Sequence, residues 1–72
     1  MAQGRTIKAV TVNYHGSRIT LPVDTRVISV MGGLGPSWAV ANAGLVMELT
    51  GNTHDPKYRY CWVPDDAVKA DG

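Results

Sequence analysis

Apolar positions recur with period two along most of the chain. In TIKAVTVNY, Thr6 to Tyr14, the run is rich in Thr, Ile, Val and Tyr, and Val10, Val12 and Tyr14 fall on one face, which predicts a β-strand. HGS, His15 to Ser17, reads as a turn. In RITLPV, Ile19, Leu21 and Val23 share a side and Pro22, which lacks the ladder donor, marks a strand end or edge, so the two runs predict a hairpin. DTRVISVM, Asp24 to Met31, is a third β run, too apolar for a strand with one wet face and therefore expected to be central.

GGLGPS, Gly32 to Ser37, predicts a loop, since glycine tolerates positive φ and Pro36 restricts its predecessor. It lacks the Gly-Lys-Ser/Thr ending and the βαβ context that a phosphate cradle requires. From Trp38 to Gly51 the pattern divides. Trp38, Ala41, Leu45 and Leu49 have helical spacing, Ser37 can cap the start and Gly51 can end the last turn. Against a helix, Gly44 sits in the middle, Glu48 lies at the unfavourable end of the dipole, and Val40, Val46 and Met47 make the outer face apolar. The expectation is a short helix or irregular turn over Pro36 to Asn42 and then a strand near Leu45 to Thr50.

GNTHDPK, Gly51 to Lys57, is read as a surface loop joining that strand to YRYCWV in a wide hairpin. Here Tyr58, Tyr60 and Trp62 alternate with Arg59, Cys61 and Val63. Pro64 stops the strand, and Asp65 or Asp66 can cap a single helical or 3-10 turn carrying Ala67 and Val68. The sum is one small β domain over residues 1–72, with 1–5 and 69–72 as loose ends.

Five short β runs and a terminal turn fit a small, strongly curved antiparallel barrel. At that level the chain resembles the SH3-like barrel superfamily in the broad sense, through its element order and through the Trp62, Val63, Pro64 ending before a short turn. Proline-peptide-binding members carry an acidic loop with no counterpart in this sequence, so that specificity is not implied. Other members bind nucleic acid, proteins or themselves, so the resemblance does not select a function.

Seventy-two residues are expected to supply one small core, and a multidomain enzyme is not expected. Seven Lys and Arg against six Asp and Glu give a formal charge of +1, far from the balance of a duplex-coating protein. A single cysteine, Cys61, forbids an internal disulfide and favours a reducing, cytoplasmic setting. No apolar leader follows Met1 to Arg5, and Trp38 to Met47 is too short to span a bilayer, so no membrane partner is expected.

The chain contains no phenylalanine, so large apolar side chains must come from two tryptophans and three tyrosines. Trp62 is expected in the core or at its rim, Tyr60 is balanced between core and surface, and Tyr58 is expected to be exposed. His15, His54, Asp55 and Cys61 have no metal-ligand spacing, so neither a metal nor a cofactor is expected. Cys61 reads as a small core hydrophobe rather than a nucleophile, Ser17, Ser29 and Ser37 lack a local base, and an enzyme is not expected.

Two binding functions remain. The first is a protein-interaction or self-assembling accessory module presenting strand edges and loops, including His54. The second is a single-strand nucleic-acid binder using Tyr58, Tyr60 and Tyr14 with Arg18, Arg26, Lys57 and Arg59. Near-neutral charge favours the first. Small chains without an enzyme signature are common among accessory proteins of microbes and their viruses, a setting held by association only.

Overall fold

A computed structural model describes residues 2–32, 35–51 and 60–71. The fold is mainly β. Among the described residues, seven strands form two antiparallel sheets, accompanied by one α-helix and one 3-10 turn. The strands are β1 (Gln3–Thr6), β2 (Val10–Tyr14), β3 (Ser17–Leu21), β4 (Arg26–Gly32), β5 (Gly35–Val40), β6 (Trp62–Val63) and β7 (Val68–Ala70). The larger sheet has the order β6-β5-β4-β1-β7, and β2 pairs with β3 alone.

The β2–β3 hairpin forms as its alternation predicts. Val10 lies opposite Leu21, Val12 opposite Ile19 and Tyr14 opposite Ser17. His15 and Gly16 both have positive φ, 50° and 81°, which is the two-residue turn whose twist matches the flanking strands. Pro22 follows the end of β3, and β4 is central as its apolar run requires.

Thr6 to Tyr14 is not one strand but two. Between them, Ile7 N–H donates to Ala67 O at 2.9 Å and Asp24 N–H donates to Thr6 O at 2.9 Å. The fully buried Thr6 hydroxyl donates to Pro22 O at 2.9 Å and accepts from Thr25 N–H at 3.0 Å. These bonds hold the chain where it leaves β1 for the hairpin, an arrangement encoded by partners 16 or more residues away. A second correction concerns the ends. Gly4 and Arg5, expected to be loose, pair with Ala70 and Lys69. A side chain at position 4 is excluded by this closeness, since its Cβ would lie 2.7 Å from Lys69 O.

The middle of the chain reverses the expected order of strand and helix. Gly32 to Ser37 is not all loop: β4 ends at Gly32, and β5 begins opposite it at Gly35, whose φ is 113°. Residues 36–40, expected within a short helix or irregular turn over Pro36 to Asn42, are strand, with Trp38 opposite both Ser29 and Val63. Pro36 is tolerated because β6 covers only Trp38 and Ala39 of β5. The expected strand at Leu45 to Thr50 lies in helix α1 (Ala43–Thr50). Asn42, rather than Ser37, caps it by accepting from Leu45 N–H at 3.3 Å, and Gly51 closes it with φ 75°. Gly44 falls in the first turn, where its cost is smallest. The wide hairpin to YRYCWV lies largely outside the described residues, and helix rather than strand precedes it.

Asp65–Ala67 forms the expected 3-10 turn, but without a capping side chain. Backbone groups close it: Ala67 N–H donates to Pro64 O at 3.1 Å, and Val68 N–H donates to Asp65 O.

The core lies between the sheets. Val10, Tyr14, Ile19 and Leu21 from the hairpin meet Val27, Val40 and Val63 from the large sheet, joined by Val46 of α1, Cys61 and Ala67. No helix among the described residues is long and apolar enough to cross a membrane.

Candidate functional site

The alternation of YCWV determines the site. Cys61 and Val63 are buried at 1% and 4% exposure, whereas Tyr60 and Trp62 are 48% and 47% exposed. Trp62 is therefore not a core residue. Its ring centroid stands 5.4 Å from that of Tyr60 at an interplanar angle of 49°, so the two form one amphipathic surface. Cys61 and Val63 join the buried cluster that also holds Tyr14, Leu21 and Val46.

Strand pairing shows what shares the outer face with Trp62. Residues directly opposite in an antiparallel ladder point the same way. Trp62 is opposite Ala39, Ala39 opposite Ile28, and Ile28 opposite Gln3. This row crosses four strands and is apolar over its first three members. Ala39, flanked on both sides, is completely buried. The neighbouring row of the same face runs Arg26, Arg5, Lys69 across β4, β1 and β7. The rows are two residues apart along each strand, roughly 7 Å.

Two of the three cations in this row meet one carboxylate. Arg26 Nη1 donates to Asp71 Oδ2 at 2.7 Å, and Arg5 Nε lies 3.8 Å from Asp71 Oδ1. Asp71 is fixed by its own backbone, whose N–H donates to Gln3 O at 2.8 Å. Arg5, Lys69, Ala70 and Asp71 line an open depression of about 290 Å³. The other described acids lie elsewhere: Asp24 at the β3–β4 corner, Glu48 on α1, Asp65 and Asp66 in the 3-10 turn. A formal charge of +1 thus conceals a locally basic face.

A second depression of about 210 Å³ is lined by Ser29, Pro36, Ser37, Trp38 and Asp65. It carries one carboxylate and no cation. Cys61 is a buried free thiol, and burial pushes its pKa up, so it is held in the unreactive protonated form. Among the described residues no group of three or more His, Cys, Asp or Glu side chains could hold a metal.

Of the residues expected at a binding surface, Tyr60 and Arg26 lie on this outer face. Tyr14 does not: it is buried at 5% exposure in the core, with His15 edge-on to its ring at 4.5 Å. Arg18 is exposed but belongs to the small sheet, opposite Asn13. Tyr58, Arg59, Lys57 and His54 lie outside the described residues. Arg5 and Lys69 were not anticipated because they fall in segments that read as chain ends. Trp62 was expected in the core or at its rim because the chain lacks phenylalanine, and alternation with Cys61 and Val63 separates the two sides of the strand without saying which is wet.

No family model matches the chain, and no curated protein and no solved structure matches it.

Proposed function

We propose that this protein is a non-enzymatic binding module that docks a partner protein on the outer face of its larger sheet. The observation that carries the reading is the pair Tyr60 and Trp62, each about half exposed, in mutual contact, beside the apolar row of Ala39 and Ile28. Tryptophan, tyrosine and arginine are the residues in which binding energy concentrates at protein interfaces, and all three types occur here. A regulatory or self-assembling accessory role in a reducing cytoplasm, in a microbe or its virus, belongs to the same reading. Its support is small size and the free thiol of Cys61. The SH3-like likeness is proposed with it, supported by five antiparallel strands in a row and by a 3-10 turn leading into a last strand that returns to β1.

The placement of Arg5, Arg26 and Lys69 on the same face favours a second reading, single-strand nucleic-acid binding, in which Tyr60 and Trp62 would stack bases. Burial of Tyr14 and the position of Arg18 on the other sheet count against it.

The test is selection of a random peptide display library against the intact chain, with Trp62→Ala as counter-target. Peptides retained by the native chain and released by the variant support the reading. Enrichment that ignores position 62, or none, removes it. Light scattering of the free protein at low and moderate salt shows whether the partner is another copy.

A further inference from the structure

We infer that the partner segment is acidic and extended, and that Asp71 holds the place its carboxylate takes. The inference rests on the outer-face reading above and specifies the chemistry of what docks there. Its first ground is charge. Arg26, Arg5 and Lys69 stand on three adjacent strands in one row, and one carboxylate, that of Asp71, is shared between the two guanidiniums. Both arginine side chains are more than half exposed, at 56% and 61%. Guanidinium groups present forked donors that match carboxylate geometry, and one carboxylate cannot satisfy two forks.

The second ground is the nature of the present occupant. Asp71 belongs to the segment that continues β7, tied to Gln3 by its own backbone N–H. A carboxylate carried on extended backbone therefore already sits on this row, and the depression beside it, lined by Arg5, Lys69, Ala70 and Asp71, is open to solvent. A partner carboxylate can bind in that depression, reach Lys69 and Arg5, and take over the bond from Arg26 as Asp71 swings away. An exposed pair of this kind is weak, so displacement is easy.

The third ground is spacing. Trp62 and Arg26 are separated by two strand intervals and two residues along the strand, roughly 12 Å between backbones from the sheet geometry. An extended peptide covers that span in roughly four residues. The face therefore fits an apolar or aromatic anchor over Tyr60 and Trp62 with an Asp or Glu about four residues away. A peptide carries both features at that spacing, whereas a single nucleic-acid strand would present anionic groups all along its length, and only those over Arg26, Arg5 and Lys69 would meet the cationic row.

Peptides selected by display on the native chain are sequenced and their affinities measured by fluorescence anisotropy against native protein, Arg26→Gln, Lys69→Gln and Asp71→Asn. A labelled single-stranded oligothymidylate serves as control. The expected result is an Asp or Glu about four residues from an apolar anchor. Binding should weaken roughly fivefold in each cation variant and tighten roughly threefold in Asp71→Asn, the size expected for one exposed charge pair. Circular dichroism confirms that the exposed-site variants remain folded. Selected peptides that depend on Trp62 but are neutral, or whose affinity ignores Asp71 and the cations, overturn this inference and leave the docking reading standing. Tighter, steeply salt-dependent binding of the oligothymidylate assigns the row to phosphates and overturns it as well. An oligomer that dissociates in Trp62→Ala assigns the face to a second copy, and absence of any selected peptide removes both readings.

Discussion

The two faces of the five-stranded sheet are built from the same backbone and solve opposite problems. Inward, Val27, Val40 and Val63 are almost completely buried, accompanied by Thr6, whose polar atom is fully bonded. Outward, at the positions that alternate with these, stand Trp62, Ile28, Arg26, Arg5 and Lys69. Trp38, opposite Val63, packs against the core, whereas Trp62 stands on the wet side. Were stability alone at issue, the two tryptophans of a chain without phenylalanine would both be expected inside, where burial of a large ring contributes most. The difference fits the proposal made above, in which the inner face serves folding and the outer face is left for a partner.

The sharpest way to break that contrast is to truncate one residue of each kind. Leu21→Ala, at a fully buried site, should cost about 2–5 kcal/mol of unfolding free energy. Trp62→Ala should cost less than about 1.5 kcal/mol while abolishing peptide capture. Urea denaturation read by circular dichroism compares them directly, and equal losses would return Trp62 to the core.

A smaller effect tests the polar corner of the inner face. Thr6→Val keeps the shape but leaves Thr25 N–H and one acceptor site of Pro22 O without the hydroxyl, and should cost about 1–3 kcal/mol. Stability unchanged by this substitution would show that the corner is held by backbone bonds alone.

Alkaline pH probes the inner face through Cys61. Burial raises the thiol pKa in the folded chain, so the unfolded chain ionises first as pH rises. The contribution of the protonated thiol is complete below the ordinary thiol range and is lost as pH climbs through the raised value. Denaturation midpoints from about pH 7 to about pH 10 should therefore fall more steeply for the native chain than for Cys61→Ala. Parallel curves would place the thiol in contact with solvent.

The smallest expected stability change belongs to the outer row. Arg26→Gln removes the 2.7 Å bond to Asp71 and should cost about 0–1 kcal/mol, diminishing with salt. A larger loss would make Asp71 a structural clasp for the chain ends rather than a displaceable occupant.

Elements held by neighbouring residues were legible in advance. The β2–β3 hairpin, the stop at Pro22 and the 3-10 turn after Pro64 depend on alternation, turn residues and proline within a few positions. The burial of Cys61 matches the expectation drawn from its chemistry as a small hydrophobe. The order of strand and helix in residues 36–50 was not legible, because Val40, Val46 and Met47 suit either state and the choice falls to partners. Trp38 is placed in a strand by Ser29 and Val63, and Asn42 fits as a cap only once that strand has ended at Val40.

The site divides in the same way. The sequence by itself put Tyr60 and Trp62 on one side of a strand and Cys61 and Val63 on the other, since side chains alternate whatever the surroundings. Only tertiary structure decided which side is wet, because that depends on the hairpin and helix that cover the opposite face. It also brought Arg5 and Lys69 together beside Arg26, residues separated by most of the chain and joined by the pairing of β1 with β4 and β7. Charge composition records how many cations there are, whereas backbone hydrogen bonds between distant strands determine which of them share a surface.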